Sequence, residues 1–569
     1  MSFQTPSILE IDHKLREDFR RRLKDFGIAV DVLDPVLSVI FRTFAHQIES
    51  VYANTGRIRE TLLDELISGV KLPHRHAHPA QTVIRFISAG PHAKVLRAGT
   101  ELNARASTGE RLSFGTDVTI ELSPARIAFA LVYQEQRLQL LPGVDISEQF
   151  AAYRPSYDPV RINLGPQPAI FLATEDLVPT HLSRHGLFFD LSAGAYSIQQ
   201  GLATEPWWFF SSQGDLSSEG LMRPRRANRG VSQLEWQLSA PVHAQKDATF
   251  PDLSNGFYAG RIFVFPDIKE DQRLLCGVPR LLDAPLARIT GRDLRSFFDT
   301  PRAWIKIPLP PNVPALHTAI HNIVLHATTA SNLFCQNQTV YFEKDGFSIP
   351  ISRDQYGLRQ MLVAPLSVIG LENEIYRSSP GSALSPSDGW FELTDERITL
   401  HPGVRPDGSP QEGANIRLWL TNGELGNLVA PGDITGFSTS ATFDQIRVNH
   451  LAAAAGGTDG EIYSDARRRF ADALLTRGRI VTRADLESAT LGFDRRILAV
   501  DVRSEIERGE HGLHRVERLW VTLDADGFTR PDLELPVLQQ ELKVQLASRM
   551  MHGTHLDVQF EWKQKGASA

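Results

Sequence analysis

Residues 482–562 read TRADLESATLGFDRRILAVDVRSEIERGEHGLHRVERLWVTLDADGFTRPDLELPVLQQELKVQLASRMMHGTHLDVQFEW, and their local signals assign a class to the end of the chain. Thr482 with Asp485 three positions on is a capping-box variant, each residue satisfying a backbone N–H the helix leaves open. A helix is expected to start there and to bury Leu486 and Ala489. Ile497 to Ile506 and Val516 to Leu523 read as strands, and the polar stretch RGEHG between them predicts an antiparallel hairpin with a slightly long loop. One of Val500 and Val502 is expected to face the helices, with Asp501 and Arg503 on the opposite face. A further helix is expected from Pro536, burying Leu538, Leu542, Leu546 and Met550 and ending at Gly553. Leu556, Val558, Phe560 and Trp562 then alternate as a last strand. The order α-β-β-α-β predicts a small helix-on-sheet sandwich, α+β in class. Asp524 and Asp526 lack the third oxygen ligand and distal Glu of a calcium loop, so a turn is expected there.

Working outward, a helix is expected over Glu461 to Leu475, and LAAAAGGTDGE before it reads as a small-residue linker. Residues 76–450 are strand-rich, with runs such as TVIRFI, RLSFGTDVTIEL, ARIAFALVY, GLFFDL, NIVLHATT and IRLWLTN separated by turn and Pro-rich signals. Residues 8–72 read as helical. Asp34-Pro35 opens the best helix, a cap residue followed by a proline whose missing N–H costs nothing at the first position. From there Leu37, Ile40, Phe41, Phe44, Ile48, Val51, Tyr52, Ile58, Leu62 and Leu66 form one apolar stripe. A helix of that length, on the order of 45 Å, either braces a large domain or lies against helices of a partner. The chain is therefore expected to be multidomain α+β. Its parts are an N-terminal helical segment at 1–75, β-rich domains at 76–270 and 271–450, and an α+β domain at 451–569.

The length of 569 residues is several times that of a usual domain, and 42% hydrophobic with 22% charged residues is an ordinary globular composition. Sixty Lys plus Arg against 67 Asp plus Glu give a net charge of -7, so no global positive field exists to hold nucleic acid or an anionic membrane. The charged amphipathic start lacks the pattern of a secretory signal, and no run of apolar residues is long enough to span a bilayer, so neither export nor insertion is expected. Cys276 and Cys335 match no ligand or redox spacing and are expected to be buried thiols in a reducing compartment.

No phosphate loop, dinucleotide fingerprint, HExxH, GxSxG or EF-hand pattern occurs, so no catalytic residue, cofactor or metal is assigned. His74, His76 and His78 alternate as zinc ligands on a strand could, but no Cys or acid lies nearby to complete a site, and a solvated linker is the expected reading. The Trp207-Trp208-Phe209-Phe210 run is expected in a core rather than as a sugar platform, and the basic run Arg223 to Arg229 as a solvated loop or salt-bridge patch. A carbohydrate-active or carbohydrate-binding β-rich protein, with two carboxylates brought together from distant strands, is the alternative class.

Five strings carry a resemblance. GGTDGEIYSDARRRFADALLTRGRIVTRADLE, beginning at Gly456, resembles the GG-x-D-x-E, Arg-rich helix and VT-x-x-DLE pattern of baseplate J-like wedge proteins of contractile tails. DPVLSVIFRTFAHQIESVYANTGRIRETLLDELI, HPAQTVIRF and LRAGTELNARASTGERLSFGTDVTIEL resemble the N-terminal half of TssF, a baseplate subunit of type VI secretion, and ASNLFCQNQTVYFEKDGFSIPISRDQYGLRQMLV resembles the region around its N-x-F element. The resemblance implies a non-enzymatic wedge subunit joining spike hub to sheath. Its implied partners are a second copy of itself, a smaller TssG-like wedge subunit, and the hub and sheath-initiating subunits. It implies a cytoplasmic part, or one carried on a phage-like or released particle, and it leaves the kind of machine open. It also implies that the long N-terminal helix is shared between subunits, which makes Leu37, Phe41, Phe44, Ile48, Val51, Ile58 and Leu62 the candidate interface residues.

Overall fold

The computed structural model describes residues 8–25, 39, 41–48, 76–88, 94–144, 148–175, 185–226, 257–265, 278–291, 302–342, 347–378, 389–438, 445–461, 479–509, 512–550 and 555–562, with short gaps inside several blocks. The chain divides into two compact units, one of residues 1–74 with 463–479, the other of residues 75–462 with 480–569.

In the larger unit, residues 76–461 form a β body. Strand Arg126–Gln134 is buried along nearly its whole length, because its sheet is covered on both faces. Ala130 and Val132 pack on one side with Ile170, Leu172, Ile305 and Ile307. Phe129, Leu131 and Tyr133 pack on the other, with Trp304 and with Leu282, Leu286 and Ile289 of helix Arg280–Thr290. That helix stops at Gly291, whose φ of 67° is the left-handed cap geometry glycine adopts without strain. The sheet has seven strands, in the order Leu216–Met222, Trp207–Gln213, Arg302–Pro308, Ala169–Glu175, Arg126–Gln134, Arg137–Leu140 and Val160–Arg161. Glu175 lies across from Arg302 on one side and Arg126 on the other, and accepts from Arg302 Nη2 at 2.7 Å and Arg126 Nε at 2.8 Å. Arg302 and Glu175 are almost fully buried, so each depends on the other for neutralisation.

A second sheet of six strands runs Ile434–Phe437, Glu101–Arg105, Arg111–Thr116, Ala327–Ser331, Gln81–Ser88, Ile446–Ala455. Between it and the seven-stranded sheet lies a four-stranded one containing Gly186–Leu191 and Ile320–Leu325. Leu187 and Phe189 point into one core while Phe188 points into the other, as period two requires.

Two expected boundaries are corrected by this pairing. Strand Arg302–Pro308 sits inside a sheet otherwise drawn from residues 126–222, and Ala327–Ser331 sits beside Gln81–Ser88, so residue 270 separates no sheets. Nor does 450, since Ile446–Ala455 pairs antiparallel with Gln81–Ser88. The small residues expected to form a linker are a strand, with Ala454 and Ala455 buried and Ala454 N donating to Val429 O at 3.0 Å. Local turn signals mark strand ends but carry no information on which distant strand pairs.

Residues 480–562 form a C-terminal lobe in the element order helix, strand, strand, helix, strand. Thr482 Oγ1 accepts from Asp485 N at 3.1 Å and Asp485 Oδ2 from Thr482 N at 2.8 Å, a reciprocal cap for helix Arg483–Leu491. Strands Ile497–Gly509 and Gly512–Leu523 pair antiparallel up to Gly509 opposite Gly512, so the loop is shorter than expected and the strands longer. His555–Trp562 joins Gly512–Leu523 in parallel, which obliges the chain to cross over through helix Pro531–Arg549. That helix begins at Pro531 rather than Pro536. Proline at the first position is preorganised, and Pro536 is carried within the helix at the loss of one backbone hydrogen bond. Leu538, Leu542 and Leu546 are buried with Leu486, Leu519, Val521 and Val558. Val500 and Val502 both belong to this core, as residues two apart on a strand must, while Asp501 pairs with Arg503 on the other face. Asp524 closes a 3-10 turn Ala525–Gly527. Glu461 to Leu475, apart from Glu461, and Gly553 lie outside the described residues.

The three β layers meet where the chain changes sheet. His326, between Ile320–Leu325 and Ala327–Ser331, has φ 60° and contacts the His185 ring at 5.0 Å between centroids. Its Nε2 bonds Ala125 O at 2.8 Å, and His185 Nε2 bonds Ser123 Oγ at 2.8 Å. Burial, with a smaller push from Arg85, drives the His326 imidazole from 6.5 to about 4, against the pull of the carbonyls it faces. An unfolded chain protonates His326 first, so its contribution to stability is intact above about pH 6.5 and is lost as the pH falls toward 4. That loss is roughly 3 kcal/mol at 1.36 kcal/mol per unit. His326→Asn, which tolerates positive φ and does not titrate, should flatten the fall in apparent melting temperature between pH 7 and 4.5; an unchanged slope would show that other groups govern it.

Candidate assembly surface

In the smaller unit, helix Ile8–Asp25 carries an i,i+4 ion pair between Asp12 and Arg16 at 2.9 Å. Its Phe19 ring meets Phe41 edge-on at 5.1 Å. Residues 41–48 are helical, as the apolar period predicts. Ile11 and Ala45 are buried, so among the described residues 41–48 the buried position belongs to Ala45 rather than to Phe41, Phe44 or Ile48. Of the candidate interface residues, Phe41 and Ile48 are half-buried and Phe44 is 53% exposed. Leu37, Val51, Ile58 and Leu62 lie outside the described residues. Val39, two residues before Phe41, is 66% exposed.

In the larger unit, four of the quoted strings converge on one polar knot. Asn332 Oδ1 accepts from Thr421 Oγ1 at 3.0 Å and Asn422 N at 2.8 Å, and its Nδ2 donates to Ser113 O at 2.9 Å. Asn332 N donates to Ala80 O at 2.8 Å. Asn427 and Gly457 exchange two bonds, each 2.8 Å, from Asn427 Nδ2 to Gly457 O and from Gly457 N to Asn427 Oδ1. Thr458 and His78 form a β-bridge. Asp459 Oδ1 accepts from Glu424 N at 2.9 Å, and burial raises its carboxyl pKa while Arg359 opposes the rise. Gly456 has φ 82°, and a Cβ on Gly457 would lie 2.5 Å from Gly423 O. GGTDGE is therefore a clasp against the β body rather than the opening of a separate domain. Asn332 stands in the N-x-F element of ASNLF quoted above, whereas Asn422 and Asn427 were given no role from sequence, and their only local signal was the turn-type string TNGELGN.

His76 and His78 are half-buried beside this knot rather than in a solvated linker, and His74 lies outside the described residues. Cys335 is exposed, correcting its expected burial. It lies on the outward parity of strand Phe334–Tyr341. Cys276 lies outside the described residues. Trp207 is fully buried, with Nε1 donating to Leu202 O at 3.2 Å, so it offers no sugar platform. Arg225 and Arg226 are on a strand, and no other residue of the basic run from Arg223 to Arg229 is described. The Ser123–His185 contact is buried on both sides, which keeps a substrate from the hydroxyl. Among the described residues no helix is long and apolar enough to cross a membrane.

No protein-family model and no curated protein matches the sequence. Among solved structures, the chain is similar to one in the type VI secretion TssK-TssF-TssG baseplate subcomplex, with 13% identity, 94% of this chain and 99% of that chain covered, and a TM-score of 0.44. A chain of the baseplate complex from the type VI secretion system gives 16%, 97%, 96% and 0.40 for the same quantities. One of the anti-feeding prophage baseplate gives 11%, 95%, 70% and 0.32.

Asn427→Ala would leave the buried N–H and carbonyl of Gly457 unpaired, at a cost of about 2–4 kcal/mol. Asn427→Asp keeps the acceptor alone and should fall between, in urea unfolding of the full chain. Equal stability of Asn427→Ala and wild type would show that the clasp contributes nothing.

Proposed function

We propose that the chain is a structural, non-enzymatic wedge subunit of a contractile injection baseplate. The machine is a type VI secretion system, an extracellular injection particle or a phage-like tail, and the subunit links spike hub to sheath. The observation that carries this reading is the clasp. HPAQTVIRF, ASNLF and GGTDGE, quoted above for their resemblance to wedge proteins, are far apart in sequence and bond to one another through His78, Ala80, Asn332 and Thr458. Strings that resemble those of one family and also make one tertiary knot support a shared architecture more strongly than strings scattered over a surface.

The exposed Phe44 supports the second part of the reading, in which the N-terminal helix pairs with a second copy and a smaller TssG-like subunit. An aromatic side chain more than half open to water on an amphipathic helix gains most by entering a partner's core. The stripe of Leu37, Phe41, Phe44, Ile48, Val51, Ile58 and Leu62 is the proposed contact, and the C-terminal lobe is the proposed link into a six-fold ring.

Phe44→Asp should leave a soluble, folded chain that no longer co-purifies with its small wedge partner when the two are co-expressed, because the charge would be buried unpaired on assembly. Retention of the complex would remove the helix from the interface. Leu546→Asp, at a position 1% exposed, should unfold the C-terminal lobe at a cost of roughly 3 kcal/mol or more. This variant should keep the small partner and fail to close rings in electron micrographs, and complete rings would defeat the assignment.

A further inference from the structure

Strand Phe334–Tyr341 is the edge of a sheet in the larger unit, paired along its whole length with strand Gly413–Thr421 and, among the described residues, with no strand on its other side. Phe342 N donates to Glu412 O at 2.8 Å, which fixes the hydrogen-bonded positions of this ladder at Phe334, Gln336, Gln338 and Val340. The N–H and C=O of Cys335, Asn337, Thr339 and Tyr341 therefore point away from the sheet. None of them has a partner among the described residues. Such a row is a template for another strand, and edges are usually guarded by charge, proline or a bulge. Four described edge strands run eight residues or more, and three are guarded. Ile446–Ala455 carries Arg447 and register shifts, Ile497–Gly509 carries Asp501, Arg503, Glu505 and Glu507, and His555–Trp562 carries Asp557 and Glu561. FCQNQTVY has no charge, no proline, no glycine and no shift in register.

We propose that this edge receives an extended segment of a partner polypeptide, antiparallel to Phe334–Tyr341, with apolar side chains at alternate positions on the core side. The open amides and carbonyls select a strand, since only extended backbone repeats donors and acceptors at their spacing. The core side selects the alternation: Phe334 and Phe342 pack only half-buried against the cluster of Val340, Ile349 and Ile398, and apolar neighbours would finish covering them. On the outer side, a cavity of about 260 Å³ opens beside Cys335 and Asn337, lined also by Arg417, Trp419, Phe114 and Glu101. An outward side chain of the incoming strand has room there, the arrangement in which backbone bonds give affinity and a pocket gives specificity. A second copy fits less well. Paired about Gln338, it would set Gln338 against Gln338 and Gln336 against Val340 on the core side. The inference goes beyond the wedge reading and does not depend on the N-terminal helix, so the two can fail separately.

The test is hydrogen–deuterium exchange of the full-length chain, read by mass spectrometry over residues 333–342, with three capped probes. The first is acetyl-Lys-Thr-Val-Thr-Val-Thr-Val-Lys-amide; the second is the same peptide N-methylated at its threonines, whose amides would face the edge; the third, acetyl-Lys-Thr-Thr-Thr-Val-Val-Val-Lys-amide, loses the alternation. In the dilute chain alone, the amides of Cys335, Asn337, Thr339 and Tyr341 should exchange quickly and those between them slowly. The first probe, at about 1 mM, should slow the open amides by about tenfold or more, and the other two should not. Thr339→Pro removes an outward N–H, a change an edge tolerates, and Gln338→Lys sets a charge on the core side of the edge. Each should abolish the protection while the amides bonded to 413–421 stay slow. Protection by the methylated or permuted probe equal to that by the first, none from any probe, or protection that survives both variants would overturn the proposal. So would slow exchange of the four amides in the dilute chain alone, which would mean that the chain covers its own edge. Protection that grows with protein concentration, together with a dimer in light scattering, would make the occupant a second copy and would likewise overturn it.

Discussion

The reciprocal bonds between Asn427 and Gly457 are the constraint on which the rest of the larger unit depends. They join the turn after strand Gly413–Thr421 to the end of strand Ile446–Ala455, and so hold the edge of the six-stranded sheet closed. Gly457 cannot be replaced by a bulkier residue while Gly423 O and Ala80 stand where they do, and Ala80 is in turn held by Asn332. Glu424, one residue after Gly423, pairs with Arg495 of the C-terminal lobe. One short stretch of backbone thereby sets the closure of the sheet, the exit of the chain from it and the seat of the lobe.

Polar burial elsewhere in the β body follows the same logic of mutual satisfaction. Glu175 is neutralised by arginines from the two strands beside it, a pairing that a one-residue register slip would break. Asp117 accepts on Oδ2 from Gln81 Nε2 and Ser331 Oγ, each at 2.9 Å, and burial raises its carboxyl pKa despite those donors. Gln81 also accepts Tyr258 N on its Oε1 at 2.9 Å. Such groups specify one pairing among many hydrophobic strands that would otherwise be interchangeable.

Sequence legibility divided along this line. Thr482 with Asp485, the leucines of the last helix and the alternation in Val558 and its neighbours are local patterns, and the structure places them as the period predicts. The start of that helix was misplaced because two prolines, Pro531 and Pro536, both satisfy the rule for a first position, and only the extent of the helix distinguishes them. Strand partnership was illegible. Nothing in RAWIKIP says that it lies between Ala169–Glu175 and Trp207–Gln213, or in LAAAA that it completes a sheet begun at Gln81. The clasp was half legible: GGTDGE and the asparagine of ASNLF were recognised as strings, while their bonding to each other needed the fold.

Why those strings stand out has a physical answer. Where a side chain meets only other side chains, as Leu542 meets Leu519 and Val521 in one core, volume can be redistributed among neighbours and many sequences serve. Where a side chain meets backbone the requirement is stricter. Asn332 must accept from Thr421 and Asn422 while donating to Ser113 O, so neither aspartate nor leucine can do its work. Gly457 must have no Cβ, and Gly456 must hold φ at 82°. A β body of this kind leaves most of its sequence free and fixes it at the few points where chain touches chain, so a short string there carries more information about architecture than a long strand in the core.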